Sequence, residues 1–153
     1  MAFIQNQIGR LPSFGTIWMN TGNFTGANFA FTTSYKEVTA LSTSFTMTSP
    51  SQDFAMTTDG RLKYTGITNK LFSVSATLFA VNSTSPEWFS IQIYKNGSPV
   101  SDAFVYTGIA TRIAGFPISM STNDYLSIFT KAQAAATNAI QTVILSATSI
   151  NRI

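Results

Sequence analysis

Residues Lys70 to Gly97, KLFSVSATLFAVNSTSPEWFSIQIYKNG, contain the strongest structural signal in the chain. From Phe72 to Ala80, apolar side chains alternate with smaller, mostly polar ones, as expected for a strand with one buried face. After a short polar loop the alternation resumes up to Tyr94, and Asn96-Gly97 then suits the positive φ angles of a tight hairpin turn. The sequence therefore predicts two strands and a turn, against which the rest of the chain packs.

The composition favours an all-β fold with an unusually uncharged surface. Hydrophobic residues make up 44% of the 153 residues, and charged residues make up only 10%, against roughly 25% in an ordinary soluble domain. Threonine, valine, isoleucine and phenylalanine are frequent, which favours strands. Because few charges oppose association, we expect other subunits to cover part of the surface. A compact monomer with a surface rich in serine and threonine is the alternative.

The same composition argues against catalysis. The chain has no cysteine and no histidine, which excludes disulfides and thiolate sites and removes the commonest general base. Its six acidic residues stand apart, mostly in turns, where carboxylates usually bond to the local backbone. A glycosidase with paired carboxylates or a calcium site built from turn carboxylates is therefore less favoured. We expect no enzymatic activity, no cofactor and no metal.

Nucleic-acid and membrane binding are not predicted either. The nine basic residues give a net charge of +3, but they are scattered and form no basic arm or stripe. No apolar run approaches the roughly 18 residues of a membrane span. The first residues also lack the charged head and apolar run of a signal peptide.

The first fourteen residues differ in character from the rest of the chain. Phe3, Ile4 and Ile8 form a small apolar group, and Pro12 then disfavours a continuing helix. We predict that residues 1–14 form an extended arm and that these three residues dock on a partner. A frayed terminus is the alternative. Residues 15–153 are predicted to form a single domain.

The last long apolar stretch, AIQTVILSATSI at Ala139–Ile150, is rich in β-branched residues. Ile140, Val143, Ile144 and Leu145 place apolar groups on both faces of this strand. A strand of this kind is usually covered on both sides. Since only one face of a two-layer sandwich meets the core, a neighbouring subunit is the simplest cover for the other face.

About eight to ten short antiparallel strands, separated by turn signals, are predicted in total. In the strand from Ile109 to Met120, Gly115 and Pro117 indicate a bulge or an edge position. The alanine-rich segment Lys131–Asn138 is predicted to be a loop. This pattern is typical of a β-sandwich or jelly roll.

From Asp59 onward, the order of these signals resembles the tumour-necrosis-factor (TNF) and complement globular-head superfamily of trimeric jelly rolls. It is most similar to small members found in virions of bacteriophages and large DNA viruses. The motifs that carry the resemblance, besides the long strand Leu71–Val81 and the final strand, are DGRLKYTG at Asp59–Gly66, IYKNG at Ile93–Gly97 and NDYL at Asn123–Leu126. No collagen-like repeat accompanies them, which departs from the complement branch.

The resemblance implies a homotrimer that assembles through the sheet face carrying the first and last strands. We expect this interface to contain Ser75, Thr77 and Phe79 of the long central strand with Ile140 and Ile144 of the last. The resemblance also implies a virion location and a structural role, as a minor capsid, decoration, fibre-head or host-attachment protein. Other capsid proteins, and a host surface glycan or receptor, would then be partners.

A carbohydrate-binding module is the alternative function, because aromatic faces suit sugar rings. Core or interface packing is the more ordinary role of large aromatic residues. A coat protein that packages nucleic acid is a third possibility, which the absence of a basic arm argues against. The aromatic candidates for sugar binding are Trp18, Trp88, Tyr94, Tyr106 and Tyr125.

Overall fold

The structure, a computed structural model, describes residues 12–20, 27–38, 45–81, 88–106 and 110–150. These ranges contain no helix long and apolar enough to span a membrane. Their strands are β1 (Phe14–Asn20), β2 (Ala27–Phe31), β3 (Lys36–Glu37), β4 (Thr46–Met47), β5 (Phe54–Met56), β6 (Leu62–Tyr64), β7 (Lys70–Val81), β8 (Phe89–Lys95), β9 (Ser98–Pro99), β10 (Phe104–Tyr106), β11 (Ala110–Met120), β12 (Tyr125–Ala132) and β13 (Ala136–Ser149).

The strands form two antiparallel sheets. In the six-stranded sheet the order is β11-β7-β13-β1-β4, with β2 also paired to β13. In the seven-stranded sheet the order is β10-β8-β12-β6-β5, with β3 on β12 and β9 on β8. The predicted all-β jelly-roll sandwich is confirmed. The described strands outnumber the predicted eight to ten because several are pieces of two or three residues.

The core lies between the two sheets and follows the alternation predicted from the sequence. From Phe72 to Ala80, every second residue of β7 is at most 4% exposed, while the residues between them are only half-buried. Inward-facing residues of β8, β12 and β13 join the same apolar cluster. The buried residues of β7 are Phe72, Val74, Ala76, Leu78 and Ala80.

The loop predicted over Lys131–Asn138 is too long. Strand β12 continues to Ala132, and β13 begins at Ala136, so only Gln133–Ala135 separate them. The first residues of β13 pair with β2, from Ala136 opposite Phe31 to Ile140 opposite Ala27. This pairing overrides the weak strand preference of alanine.

Strand β13 contains a bulge that corrects the placement predicted for Ile140. Its register against β7 shifts between Ile140 and Thr142, and the extra residue reverses the alternation. Ile140 therefore lies on the inner face, fully buried in the core of the single chain, whereas Ile144 lies on the outer face. Without a bulge, two residues four apart would share a face. Ile140 is therefore not exposed on the outward side of this sheet.

The irregularity predicted in β11 is confirmed. Gly115 has a φ angle of 66°, and the register against β7 shifts between Ile113 and Phe116. The amide of Gly115 donates to Ser75 Oγ at 3.1 Å. Strand β11 is also an edge strand of its sheet in the described part of the chain.

The hairpin turn at Asn96-Gly97 is confirmed, with φ angles of 51° and 80°. Asn96 Nδ2 donates to Asp124 Oδ1 at 2.6 Å, and the amide of Tyr125 donates to Asn96 Oδ1 at 2.9 Å. Asp124 Oδ2 accepts from the amide of Ser121 at 2.8 Å and lies 3.5 Å from Lys95 Nζ. The turn thus fastens β8 and β9 to the start of β12.

The contacts of Asp124 lead us to expect that the folded chain loses stability in acid. Burial alone would raise the pKa of Asp124, but the hydrogen bonds from Ser121 and Asn96 and the charge of Lys95 outweigh it, so the pKa lies below its usual value. A carboxyl whose pKa is lower in the folded chain adds stability above its unfolded pKa of about 4. That stability is lost as the pH falls through the folded pKa.

We therefore expect Asp124→Asn to lower the free energy of unfolding at pH 7 by about 1–2 kcal/mol. We also expect the variant to lose less stability than the parent chain on acidification. Denaturant unfolding followed from pH 7 down to about pH 2 measures both effects. Parallel pH profiles for the two proteins would contradict this role of Asp124.

Candidate subunit interface

The side of the six-stranded sheet that points away from the core carries very little charge. We call this side the outer face. Its residues alternate with those of the core and lie side by side across neighbouring strands. The outer face includes Thr16 and Trp18 in β1, Thr46 in β4, Ser73, Ser75, Thr77 and Phe79 in β7, Arg112 in β11, and Thr142, Ile144 and Ser146 in β13. Arg112 is the single charged residue among these.

One row of directly opposed residues crosses the middle of this face. It runs from Thr46 through Trp18, Ile144 and Thr77 to Arg112, one residue from each strand. Trp18 and Ile144 are each 37% exposed. Because opposed side chains in adjacent strands lie about 4.5–5.5 Å apart at Cβ, the two form a continuous apolar ridge. The one charge of the row lies at its end, on the edge strand.

The rows on either side extend the uncharged area. On one side Thr142 lies opposite Phe79, whose ring is half-buried. On the other side Thr16, Ser146 and Ser75 follow one another across three strands. These short hydroxyl side chains leave room for close approach, and their donors and acceptors can pair with groups on a second surface.

A surface of this kind suits protein association. Depletion of charge at the centre, with a large aromatic residue present, distinguishes interface cores from ordinary surface. Exposed apolar groups grouped together also mark interaction sites more often than isolated ones do. The outer face is therefore a candidate subunit interface.

The outward side of the seven-stranded sheet is different, because it carries charged groups that pair with one another within the chain. Arg61 donates to both carboxylate oxygens of Glu37, at 2.7 and 2.8 Å, and to Asp59 Oδ2 at 2.8 Å. Its guanidinium carbon also lies 4.9 Å from the centre of the Tyr125 ring. The hydrogen bond to Glu37 raises the pKa of Arg61 further above its already high value.

Aromatic rings cover much of the remainder of that second face. Tyr94 stacks on Phe129 with ring centres 3.8 Å apart, and Tyr35 lies 6.4 Å from Tyr94 on a tilted plane. Lys131 Nζ lies 4.8 Å from the centre of the Tyr35 ring. Burial, together with neighbouring Tyr35, raises the pKa of Tyr94. Ser127 lies directly opposite Tyr94 and is buried although it points outward.

The structure brings most of the predicted interface residues together. Ser75, Thr77, Phe79 and Ile144 all lie on the outer face, across two adjacent strands. The predicted arm residues Phe3, Ile4 and Ile8 lie outside the described residues.

From the sequence, Trp18 is a candidate for sugar binding, with core or interface packing as the more ordinary role, and its place beside Ile144 is not predicted. The alternation in GTIWMN separates Trp18 from the buried Ile17 and Met19, and that was the available signal.

The aromatic residues considered for sugar binding do not form one surface. Trp18 lies on the outer face of the six-stranded sheet, while Tyr94 and Tyr125 lie on the other sheet. Trp88 is half-buried just before β8. The side chain of Tyr106 is not among those described.

Neither a protein-family model nor a curated protein sequence matches this chain. Among solved structures, PRD1 vertex protein P5 is similar over 91% of this chain and 97% of its own, with a TM-score of 0.67 and 12% identity. Murine APRIL is similar over 90% and 99%, with a TM-score of 0.55 and 8% identity. GITRL from bushbaby is similar over 92% and 99%, with a TM-score of 0.50 and 12% identity.

At these low identities the similarity establishes the fold alone. The chain has a TNF-like jelly-roll fold, and a phage protein is among its structural relatives. The family resemblance predicted from the sequence motifs is confirmed at this level.

Proposed function

We propose that the chain is a non-enzymatic structural protein of a virus particle and that it works as a homotrimer. The observation that carries the proposal is the outer face, where Trp18 and Ile144 lie side by side, each 37% exposed, and where Arg112 at the edge is the single charged residue among those named. The fold shared with a PRD1 vertex protein supports a location on the particle. The role would be that of a minor capsid, decoration, fibre-head or host-attachment protein, with other capsid proteins and a host surface glycan or receptor as partners.

A closed ring of three identical chains requires two different contact surfaces on each chain. The outer face supplies the first. For the second we propose β10, an edge strand of the seven-stranded sheet in the described residues. Its neighbouring residues Phe104 and Val105 are 40% and 60% exposed, and they point to opposite sides of the strand. Strand β10 of one chain would then pack on the outer face of the next.

This arrangement predicts that a charge on β10 weakens the trimer. We expect Val105→Asp to raise the dissociation constant at least about a hundredfold, because the carboxylate would be buried at the contact without a partner. Light scattering on a dilution series measures the change. Ser98→Asp, at an exposed position in β9, is the matched control and should assemble normally. If Val105→Asp assembles as the parent does, β10 is not part of the contact.

Protein composition of purified particles tests the role on the particle. The particles are those of the virus or phage whose genome encodes the chain. Mass spectrometry of washed particles should find the chain at a copy number that is a multiple of three. A chain that is made in infected cells but absent from washed particles would contradict the particle role. That outcome would leave the fold and the trimer unaffected.

A further inference from the structure

Two exposed isoleucines lie at the end of the sandwich where both described ends of the chain meet, and the amide of Ile150 donates to the Leu71 carbonyl at 2.8 Å, at the start of β7. Ile67, between β6 and β7, is 91% exposed, and Ile150, just after β13, is 41% exposed. We call these two residues the terminal patch. The amide of Ser13 donates to Ser149 Oγ at 2.9 Å, and the amide of Ser149 donates to the Ser13 carbonyl at 2.7 Å. The chain therefore leaves β1 toward residues 1–11 at this same end.

The loop that carries Ile67 is fastened to Ser13 from both sides. Before the loop, the amide of Thr65 donates to the Asp53 carbonyl at 2.9 Å, and Ser13 Oγ donates to Asp53 Oδ2 at 2.5 Å. After the loop, Lys70 Nζ donates to Ser13 Oγ at 2.6 Å. Ile67 is thus presented close to the point where residues 1–11 join the domain.

The loop itself is fixed by contacts of its own. Tyr64 Oη donates to the Thr68 carbonyl at 2.7 Å, and Thr122 Oγ1 donates to the Gly66 carbonyl at 2.6 Å. Gly66 packs so closely on the Tyr64 ring that a Cβ atom would overlap it. A loop held in this way loses little further freedom when it binds. It is suited to hold an apolar segment against Ile67.

Residues 1–11, MAFIQNQIGRL, match this patch in chemistry and in reach. They contain Phe3, Ile4 and Ile8 and a single charge, at Arg10, while the loop TGITN at 65–69 has none. The chain from Ile8 to Ser13 extends at most about 17 Å. Twelve-residue strand β7 is about 40 Å long, so Ile8 can reach the terminal patch but not the opposite end of the sandwich.

We propose that residues 1–11 fold back on their own domain and pack Ile8, with Phe3 or Ile4 beside it, on the terminal patch. The segment that the sequence predicts to be a docking arm then has its partner within the same chain. This proposal depends on neither the trimer nor the particle role.

A pair of cysteines tests the contact, since the parent chain has none. In the full-length Ile8→Cys/Ile67→Cys variant, mild oxidation should give a single-chain band that migrates faster on a non-reducing gel. A disulfide forms only when the two Cα atoms come within about 7 Å. Ile8→Cys/Thr58→Cys is the control, because Thr58 is exposed in the turn that closes the β5–β6 hairpin, away from Tyr64. It should give little of this band.

Equal amounts of the fast band in both variants, or no fast band in the Ile67 variant, would overturn the proposal. Cross-linked dimers and trimers in place of that band would also overturn it, because the arm would then lie on another subunit.

A second measurement avoids the disulfide. In the Ile67→Cys variant, adding Ile8→Ser should speed maleimide labelling of the single thiol at least about fivefold. An unchanged labelling rate would contradict the contact.

Discussion

The Thr77→Arg protein is expected to be a folded monomer under conditions in which the unmodified chain is a trimer. Thr77 lies in the middle of the outer face, between Ile144 and Arg112 in the central row. In a single chain its side chain is only half-buried, so the longer arginine can lie along the open surface and the fold is kept. The substitution therefore acts on assembly and leaves folding largely unchanged.

Assembly would bury the new guanidinium group without a counter-charge. None of the outer-face residues named above is acidic, and Arg112 adds a second positive charge directly opposite. Burying an unpaired charge costs several kcal/mol per ion. We expect the dissociation constant to rise at least about a thousandfold, which corresponds to about 4 kcal/mol.

Thr58→Arg is the matched control, since it makes the same substitution at an exposed turn of the other sheet. It should remain trimeric. Far-UV circular dichroism should show the same strand content in both variants and in the parent. A trimeric Thr77→Arg protein would exclude the outer face from the subunit contact.

Phe72→Ala is expected to cause a large loss of stability. Phe72 is fully buried, and its ring centre lies 5.2 Å from that of Phe54 and 5.0 Å from that of Tyr64, in edge-to-face arrangements. Removing a phenylalanine ring from a packed core costs about 3–5 kcal/mol. For a domain of this size, that corresponds to a fall in Tm of about 10 °C.

The measurement is best made in the Thr77→Arg background, so that unfolding is not coupled to dissociation. Ser73→Ala is the control, because Ser73 is the next residue of β7 and lies on its outer face. It should change the free energy of unfolding by less than about 1 kcal/mol. A similarly small change for Phe72→Ala would show that the ring does not fill the core.

The strands that sequence reasoning placed correctly are those whose pattern is local. Alternation along β7 identified its buried face residue by residue, and Asn96-Gly97 identified the hairpin. Gly115 likewise marked the bulge in β11. In each case the signal lies within a few neighbouring residues, since side-chain direction in a strand and φ in a turn are set locally.

Features that depend on pairing between distant strands were not predicted. The bulge in β13, which moves Ile140 into the core, is a property of the ladder with β7. The alanine-rich start of β13 becomes a strand because β2 pairs with it. Trp18 and Ile144 are far apart in sequence, and only the register of β1 against β13 brings them together. The position of Trp18 in the apolar ridge therefore follows only from the structure.

The most direct test of the central claim, self-assembly through the outer face, is the molar mass of the unmodified chain in solution. Size-exclusion chromatography with light scattering should give the mass of three chains across loading concentrations from about 1 to about 100 μM. The mass of a single chain throughout that range would contradict the proposed trimer and would leave the apolar ridge of Trp18 and Ile144 without its proposed partner.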